Sequence, residues 1–213
     1  MFGHSAKPVI LNANRKLMTL KARSPKKIPR HLIYEMDEGK PVYYKWYKEN
    51  LNGNEKHEET IPESNLQVWL KSQLSFLLMF FLKDNKNYVV TVGEQGLSFK
   101  KKSWRGADIA IFRRENFQLT KEFAKLPPEI VIEINIKGYY DTQEKALADY
   151  ERKNAQLFEF GVKKIIWIFT EPQHITVLTP TERKNYGWPD TVPVLEDVTF
   201  NVQALIDKFE KEA

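Results

Sequence analysis

Apolar and polar positions along the chain follow two periods, and they predict a mixed set of strands and helices. The segment 31–45 reads as two short strands, with Leu32, Ile33 and Tyr34 leading into an Asp37-Glu38-Gly39-Lys40 turn and Val42, Tyr43 and Tyr44 leading out. A polar stretch, 50–64, carries the loop signal Asn52-Gly53-Asn54 and ends in Ser64, an N-cap for a helix over 66–82. This apolar run contains Gln67, Lys71, Ser72, Gln73 and Ser75, so it predicts a buried core helix. A membrane span needs about 20 nearly uncharged residues. Strands are predicted over 88–92, 107–112 and 130–136, the last approached through Pro127-Pro128. A long helix over 142–160 has Gly161 at its C-cap position. Strands over 164–170 and 174–178 follow, the first nearly all apolar and so central, and a short amphipathic helix over 202–210 ends the pattern.

No internal repeat and no strong linker divides this order. It predicts an α/β sandwich around one sheet, with residues 31–213 as a single domain. The 213 residues, 42% hydrophobic and 13% aromatic, suit one folded core. The chain contains no cysteine, which excludes a disulfide scaffold, a thiol nucleophile and a zinc–cysteine centre. Lys7, Arg15 and Lys16 break up any apolar signal-peptide core, so a cytoplasmic protein without membrane association is expected, and Met18 is an alternative start.

The net charge of +5 is unevenly placed. The first 30 residues hold eight of the 33 basic side chains and none of the 28 acidic ones, so the remainder carries a net charge of −3. Two readings stand for this basic leader: a solvated, flexible tail, or a tail that touches nucleic acid or a membrane.

The candidate chemistry sits in three places. In Ile132-Glu133-Ile134-Asn135-Ile136-Lys137, period two puts Glu133, Asn135 and Lys137 on one face of a strand. A carboxylate among β-branched residues is costly without a cation or metal partner. A half-exposed edge strand with a polar outer face is the alternative. Asp108 follows the Gly106 turn, with Lys101, Lys102 and Arg105 before it and Arg113 and Arg114 after. Such flanks suit a site where a phosphate meets a metal, or a solvated charged hairpin. On the second helix, Ala146, Tyr150, Lys153 and Leu157 fall on one stripe at roughly 100° per residue. Lys153, at the edge of that stripe, either snorkels to water or reaches over the sheet toward Glu133. As a boundary residue it is expected to contribute little packing.

Taken together, these segments resemble the bacterial restriction endonuclease family of the Uma type, a branch of the PD-(D/E)XK nuclease superfamily. The resemblance rests on Ala107-Asp108-Ile109-Ala110, on Pro127-Pro128 leading to Ile132-Glu133-Ile134, on Lys153, and on Gly161-Val162 running into Ile165-Ile166-Trp167-Ile168. Tyr34-Glu35-Met36-Asp37-Glu38-Gly39-Lys40 is similar to the family's opening hairpin, and the match covers about 31–180. It implies a restriction-endonuclease-like mixed central β-sheet flanked by helices, with an N-terminal β-hairpin. The sequence departs from the pattern in three places. Ala107 replaces the proline before the aspartate, Asn135 stands where nucleases carry lysine two beyond the glutamate, and 138–145 looks inserted.

The resemblance further implies metal-dependent hydrolysis of phosphodiester bonds, with Asp108 and Glu133 as oxygen ligands of Mg²⁺ or Mn²⁺. A lysine would stabilise the transition state. Lys153 is preferred over Lys137, which lies roughly 13 Å along the strand from Glu133. Glu35 and Glu94 are weaker candidates for a third carboxylate, and Lys101, Lys102 and Arg105 for nucleic-acid contacts. DNA is the expected partner, with a homodimer as a candidate assembly. The alternative is a nuclease-fold protein without activity that binds nucleic acid or protein.

Other chemistries are absent from the pattern. His4, His31, His57 and His174 show no zinc spacing, and neither a phosphate-binding glycine loop nor a Gly-x-Ser-x-Gly elbow occurs. Tyr43, Tyr44, Trp46 and Tyr47, interleaved with Lys45 and Lys48, read equally as a base-stacking surface and as core-filling aromatics.

Overall fold

The computed structural model describes residues 28–45, 47–51, 63–136, 138–195 and 197–212. Most of the basic leader, Trp46 and Lys137 therefore lie outside the described residues.

The opening hairpin pairs β1 (Ile33–Asp37) with β2 (Lys40–Tyr43). Its two-residue turn places Glu38 at φ 47° and Gly39 at φ 84°, the left-handed pair whose twist suits adjoining antiparallel strands. A short helix, α1 (Tyr47–Leu51), follows. The long α2 (Asn65–Leu82) starts at the predicted cap: Ser64 Oγ accepts the Gln67 N–H, and the Gln67 side chain accepts the Ser64 N–H in return. The sequence predicts a buried core helix, and the structure buries it along one side. Leu70, Leu74, Leu78 and Leu82 are buried on one stripe, while Phe76, Phe80 and Phe81 are exposed on the other side.

Next come β3 (Tyr88–Val92), β4 (Leu97–Lys100), β5 (Ser103–Arg105), β6 (Ile109–Arg113) and β7 (Ile130–Ile134). The helix α3 (Gln143–Phe160) is capped by Thr142 and stopped by Gly161 at φ 118°, whose N–H donates to the Leu157 and Phe158 carbonyls. The chain ends with β8 (Lys164–Thr170), β9 (Gln173–Leu178), β10 (Arg183–Tyr186), β11 (Val192–Leu195), β12 (Val198–Phe200) and α4 (Val202–Glu212).

Among the described residues the strands form three sheets rather than the single one expected. A six-stranded sheet has the order β10-β9-β8-β7-β6-β3, a four-stranded sheet the order β2-β1-β5-β4, and β11 pairs with β12. In the large sheet only β7 and β8 run parallel, joined by α3 as the crossover. The β4–β5 hairpin and β10–β12 are not visible as periodic runs. The hairpin strands are three or four residues long around Lys100, Lys101 and Lys102, and β10 reads Arg-Lys-Asn-Tyr on a sheet edge.

Alternation along the central strands divides the core. Ile109, Ile111, Ile130, Ile132 and Ile134 face Leu70, Leu74 and Leu78 of α2. Ala110, Phe112 and Val131 face Tyr150 and Leu157 of α3, on the other side of the sheet. The strand predicted over 130–136 ends at Ile134, because Asn135 takes φ 60°. β7 is no edge strand: it lies between β6 and β8, and all five of its residues are buried. No helix among the described residues is long and apolar enough to cross a membrane.

Candidate active site

Period two puts Glu133, like Val131, on the α3 side of β7. There it is 1% exposed, and its Oε1 lies 3.0 Å from the Lys153 ammonium. Lys153 is 3% exposed and reaches across the sheet rather than out to water. Its Nζ also lies 2.7 Å from Glu35 Oε1 and 3.4 Å from the Tyr34 hydroxyl, with the Tyr34 and Trp167 ring centres each 5.5 Å away. Burial alone would lower the pKa of this amine. The carboxylates of Glu133 and Glu35 outweigh it and hold the pKa above its ordinary value, so the group is an ammonium. The expectation that Lys153 is a boundary residue of little structural weight is corrected by this burial.

Asp108 is reached from the neighbouring strand. In the antiparallel β6–β7 pair the last register match is Ile109 with Ile132, so Asp108 and Glu133 each lie one residue beyond it, at the same end of the two strands. Its Oδ2 accepts the Ile134 N–H at 2.9 Å, and its Oδ1 lies 2.9 Å from the ammonium of Lys71 on α2. Lys71 also lies 2.5 Å from Glu63 Oε1, just before that helix. The turn before β4 steadies the aspartate from behind: Gly93 N–H donates to the Asp108 carbonyl, and Gln95 and Ala107 exchange both backbone bonds.

That turn also carries Glu94, which is exposed and accepts the Tyr44 hydroxyl. Tyr44 in turn packs its ring 5.3 Å from that of Tyr34. Burial, together with the charges of Glu35, Glu133, Asp108 and Glu94, pushes the Tyr34 phenol well above its usual range. Four carboxylates thus act on one phenol at the junction of the two larger sheets.

Glu35 does not follow its strand as a loop acid. It sits within β1, fully buried, with Oε1 accepting from Lys153 and from Gly106 N–H, and Oε2 from Arg105. Arg105 was expected to contact nucleic acid, and the structure corrects this. Its guanidinium is 0% exposed and bonded to Glu35, to Asp149 through two nitrogens, and to Gln156. Those carboxylates raise its pKa against the effect of burial, and no face is left for a phosphate. Lys101 and Lys102 are exposed in the β4–β5 turn. Asn135 ties β7 to β8: its carbonyl accepts the Thr170 N–H at 2.8 Å and its amide donates to Thr170 Oγ1 at 2.7 Å. Tyr43 and Tyr47 stack at 4.5 Å, and Tyr47 meets Tyr139 edge-on, so these rings pack on one another.

Beside this cluster lies a cleft of about 1110 Å³ whose lining includes Glu63, Gln67, Glu94, Phe169, His174 and Arg183. The two buried carboxylates fit a hard divalent cation: Asp108 and Glu133 offer oxygen donors only, and Mg²⁺ is commonly held through one or two carboxylates with water completing the shell. Among the described residues no three His, Asp or Glu side chains are grouped for a metal, which argues against a cage built wholly of protein ligands.

The sequence matches the model of the Uma2 family, described as "Putative restriction endonuclease", over residues 50–203. The chain belongs to the Uma2 family. It is also similar in structure to "a putative nuclease belonging to DUF820" from Anabaena variabilis, with a TM-score of 0.59 and 16% identity over 81% of this chain and 89% of that one. That likeness shows the nuclease-type fold, a mixed sheet flanked by helices. No curated protein matches the sequence. Within this Uma2 protein, sequence reasoning passed over Lys71, Glu63 and Asp149. A signal for Lys71 existed: Gln67, Lys71 and Ser75 form a polar stripe at four-residue spacing inside the apolar run of α2.

Proposed function

We propose that this Uma2 protein is a divalent-metal-dependent endonuclease that hydrolyses phosphodiester bonds, with DNA as its substrate. The reading is carried by Asp108 and Glu133, two buried carboxylates at the same end of adjacent strands in a nuclease-type fold, with Glu63, which shares Lys71 with Asp108, on the wall of a cleft. Asp108 and Glu133 are the residues that would hold Mg²⁺ or Mn²⁺. When bound there, such a cation acidifies water and neutralises the charge that builds on the phosphate.

The chain's own groups prepare the site. Ile134 N–H fixes one oxygen of Asp108, which aims the carboxylate. Lys153 supplies the counter-charge for the buried Glu133 carboxylate. Glu35 holds Lys153 from the far side. With its ammonium enclosed by Glu35, Glu133, Tyr34 and Trp167, Lys153 acts through Glu133 and is a positioning residue.

Two observations favour a second reading, a nuclease-fold binding module without activity: Lys71 already neutralises Asp108, and Asn135 stands in the usual lysine position. The deciding experiment is cleavage of plasmid and single-stranded DNA with Mg²⁺ or Mn²⁺, using wild-type protein, Asp108→Asn, Glu133→Gln and Lys137→Ala. Metal-dependent cleavage lost in the first two variants and kept in the third supports the endonuclease. DNA retention without cleavage in any metal supports the binding module.

A further inference from the structure

The mechanism above leaves one charged side chain without a role. Lys71 projects from the polar stripe of α2, its side chain 13% exposed, and its ammonium bridges Asp108 Oδ1 at 2.9 Å and Glu63 Oε1 at 2.5 Å. Glu63 and Gln67, one helical turn before Lys71, line the cleft. Lys153 also meets two carboxylates, but its side chain is only 3% exposed and it lies on the other side of the sheet. Lys71 thus reaches the cleft through its partner Glu63 and its neighbour Gln67, whereas no partner of Lys153 lines it.

We propose that Lys71 is a catalytic residue that exchanges one of its partners: its ammonium, held beside Glu63, sits on the Asp108 carboxylate in the metal-free protein and on a substrate phosphate oxygen once Asp108 is engaged by a divalent cation. This rests on the metal-dependent reading given above. A cation and an ammonium compete for the same carboxylate oxygen, because both are held there by charge. The lysine stem is flexible, so a displaced ammonium can turn from Asp108 into the cleft while its helix stays in place. There it neutralises charge that develops on the phosphate, the task that the lysine two beyond the strand glutamate performs elsewhere. Asn135 cannot do this, since its amide is committed to Thr170. Until then the Lys71 charge keeps Asp108 from standing uncompensated at 2% exposure.

Two measurements on Lys71→Met and Lys71→Gln test the proposal: Mn²⁺ affinity by titration calorimetry, and single-turnover DNA cleavage at saturating metal. Because the competing ammonium is gone, Mn²⁺ binding should tighten about tenfold. Because the phosphate loses its partner, cleavage should fall on the order of 100-fold. Lys71→Arg, which keeps the charge, should retain near-wild-type metal affinity and part of the cleavage. Opposite movement of the two quantities is a signature that a structural lysine does not give. Unchanged or weaker Mn²⁺ binding in both variants overturns the proposal, and so does tighter binding with unaltered cleavage. Asp108→Asn isolates the underlying reading: Mn²⁺ binding that survives this change overturns the metal site itself, whatever the Lys71 variants do.

Discussion

Glu35 and Lys153 are 118 positions apart in the chain, and their side chains meet at 2.7 Å in the interior. The contact joins the opening hairpin to α3 and places a second carboxylate on the ammonium that serves Glu133. Removing one partner of a buried ion pair costs more than the pair contributes, since the remaining charge is stranded out of water. Lys153→Met should therefore destabilise the protein by about 3–5 kcal/mol. In urea unfolding, the double variant Lys153→Met, Glu133→Gln should lose less than the sum of the two single changes. Strictly additive losses would show that the two groups are not coupled.

Arg105 should behave as a core residue and its neighbours as surface. Arg105→Met strands Glu35 and Asp149, and a loss of about 3–5 kcal/mol is expected in thermal or chemical unfolding. Lys101→Ala and Lys102→Ala should shift stability by less than about 0.5 kcal/mol. If the β4–β5 turn contacts DNA, each should also reduce the salt dependence of binding by about one unit of slope. An Arg105→Met protein as stable as wild type would contradict the burial described here.

These outcomes bear on what the sequence could reveal. The helices over 65–82 and 143–160 were legible because their caps, Ser64, Thr142 and Gly161, are local signals. Glu133 stood out because an acid among β-branched residues is conspicuous within a few positions, and Asp108 because basic residues flank it on both sides. Arg105 was misread for the opposite reason. Its partners Glu35 and Asp149 are remote in sequence, and the surrounding Lys100, Lys101 and Lys102 made it look like part of an exposed basic run. The end of β7 was missed because period two continues through Asn135 and Lys137, while the backbone turns left-handed at Asn135. Asparagine tolerates that conformation better than most residues.

Restoring the usual nuclease lysine with Asn135→Lys tests that last point. The φ of 60° and the two lost hydrogen bonds to Thr170 should together cost about 1–3 kcal/mol. Cleavage should not rise, because a side chain leaving a left-handed position does not follow the strand face on which Glu133 lies. The check is melting temperature alongside single-turnover cleavage. A gain in cleavage would restore the lysine position to the mechanism and remove the need for Lys71.

The basic leader supplies the final prediction. Residues 1–30 carry eight basic side chains, against a net charge of −3 on the rest, and the Uma2 match begins only at residue 50. Long-range attraction to a polyanion is therefore concentrated in a segment outside the family match, while Asp108, Glu133 and Lys153 lie inside it. Deleting residues 1–27 should weaken DNA binding and flatten its dependence on salt, since each neutralised phosphate contributes about 0.9 to the slope for duplex DNA. The unfolding midpoint should stay where it is, and the chemical step at saturating DNA should be unaffected. Fluorescence anisotropy with labelled DNA at several salt concentrations, paired with a thermal melt, separates the two effects. A truncated protein that melts early would assign the leader to the fold, and one with an unchanged salt slope would place the phosphate contacts on the folded body.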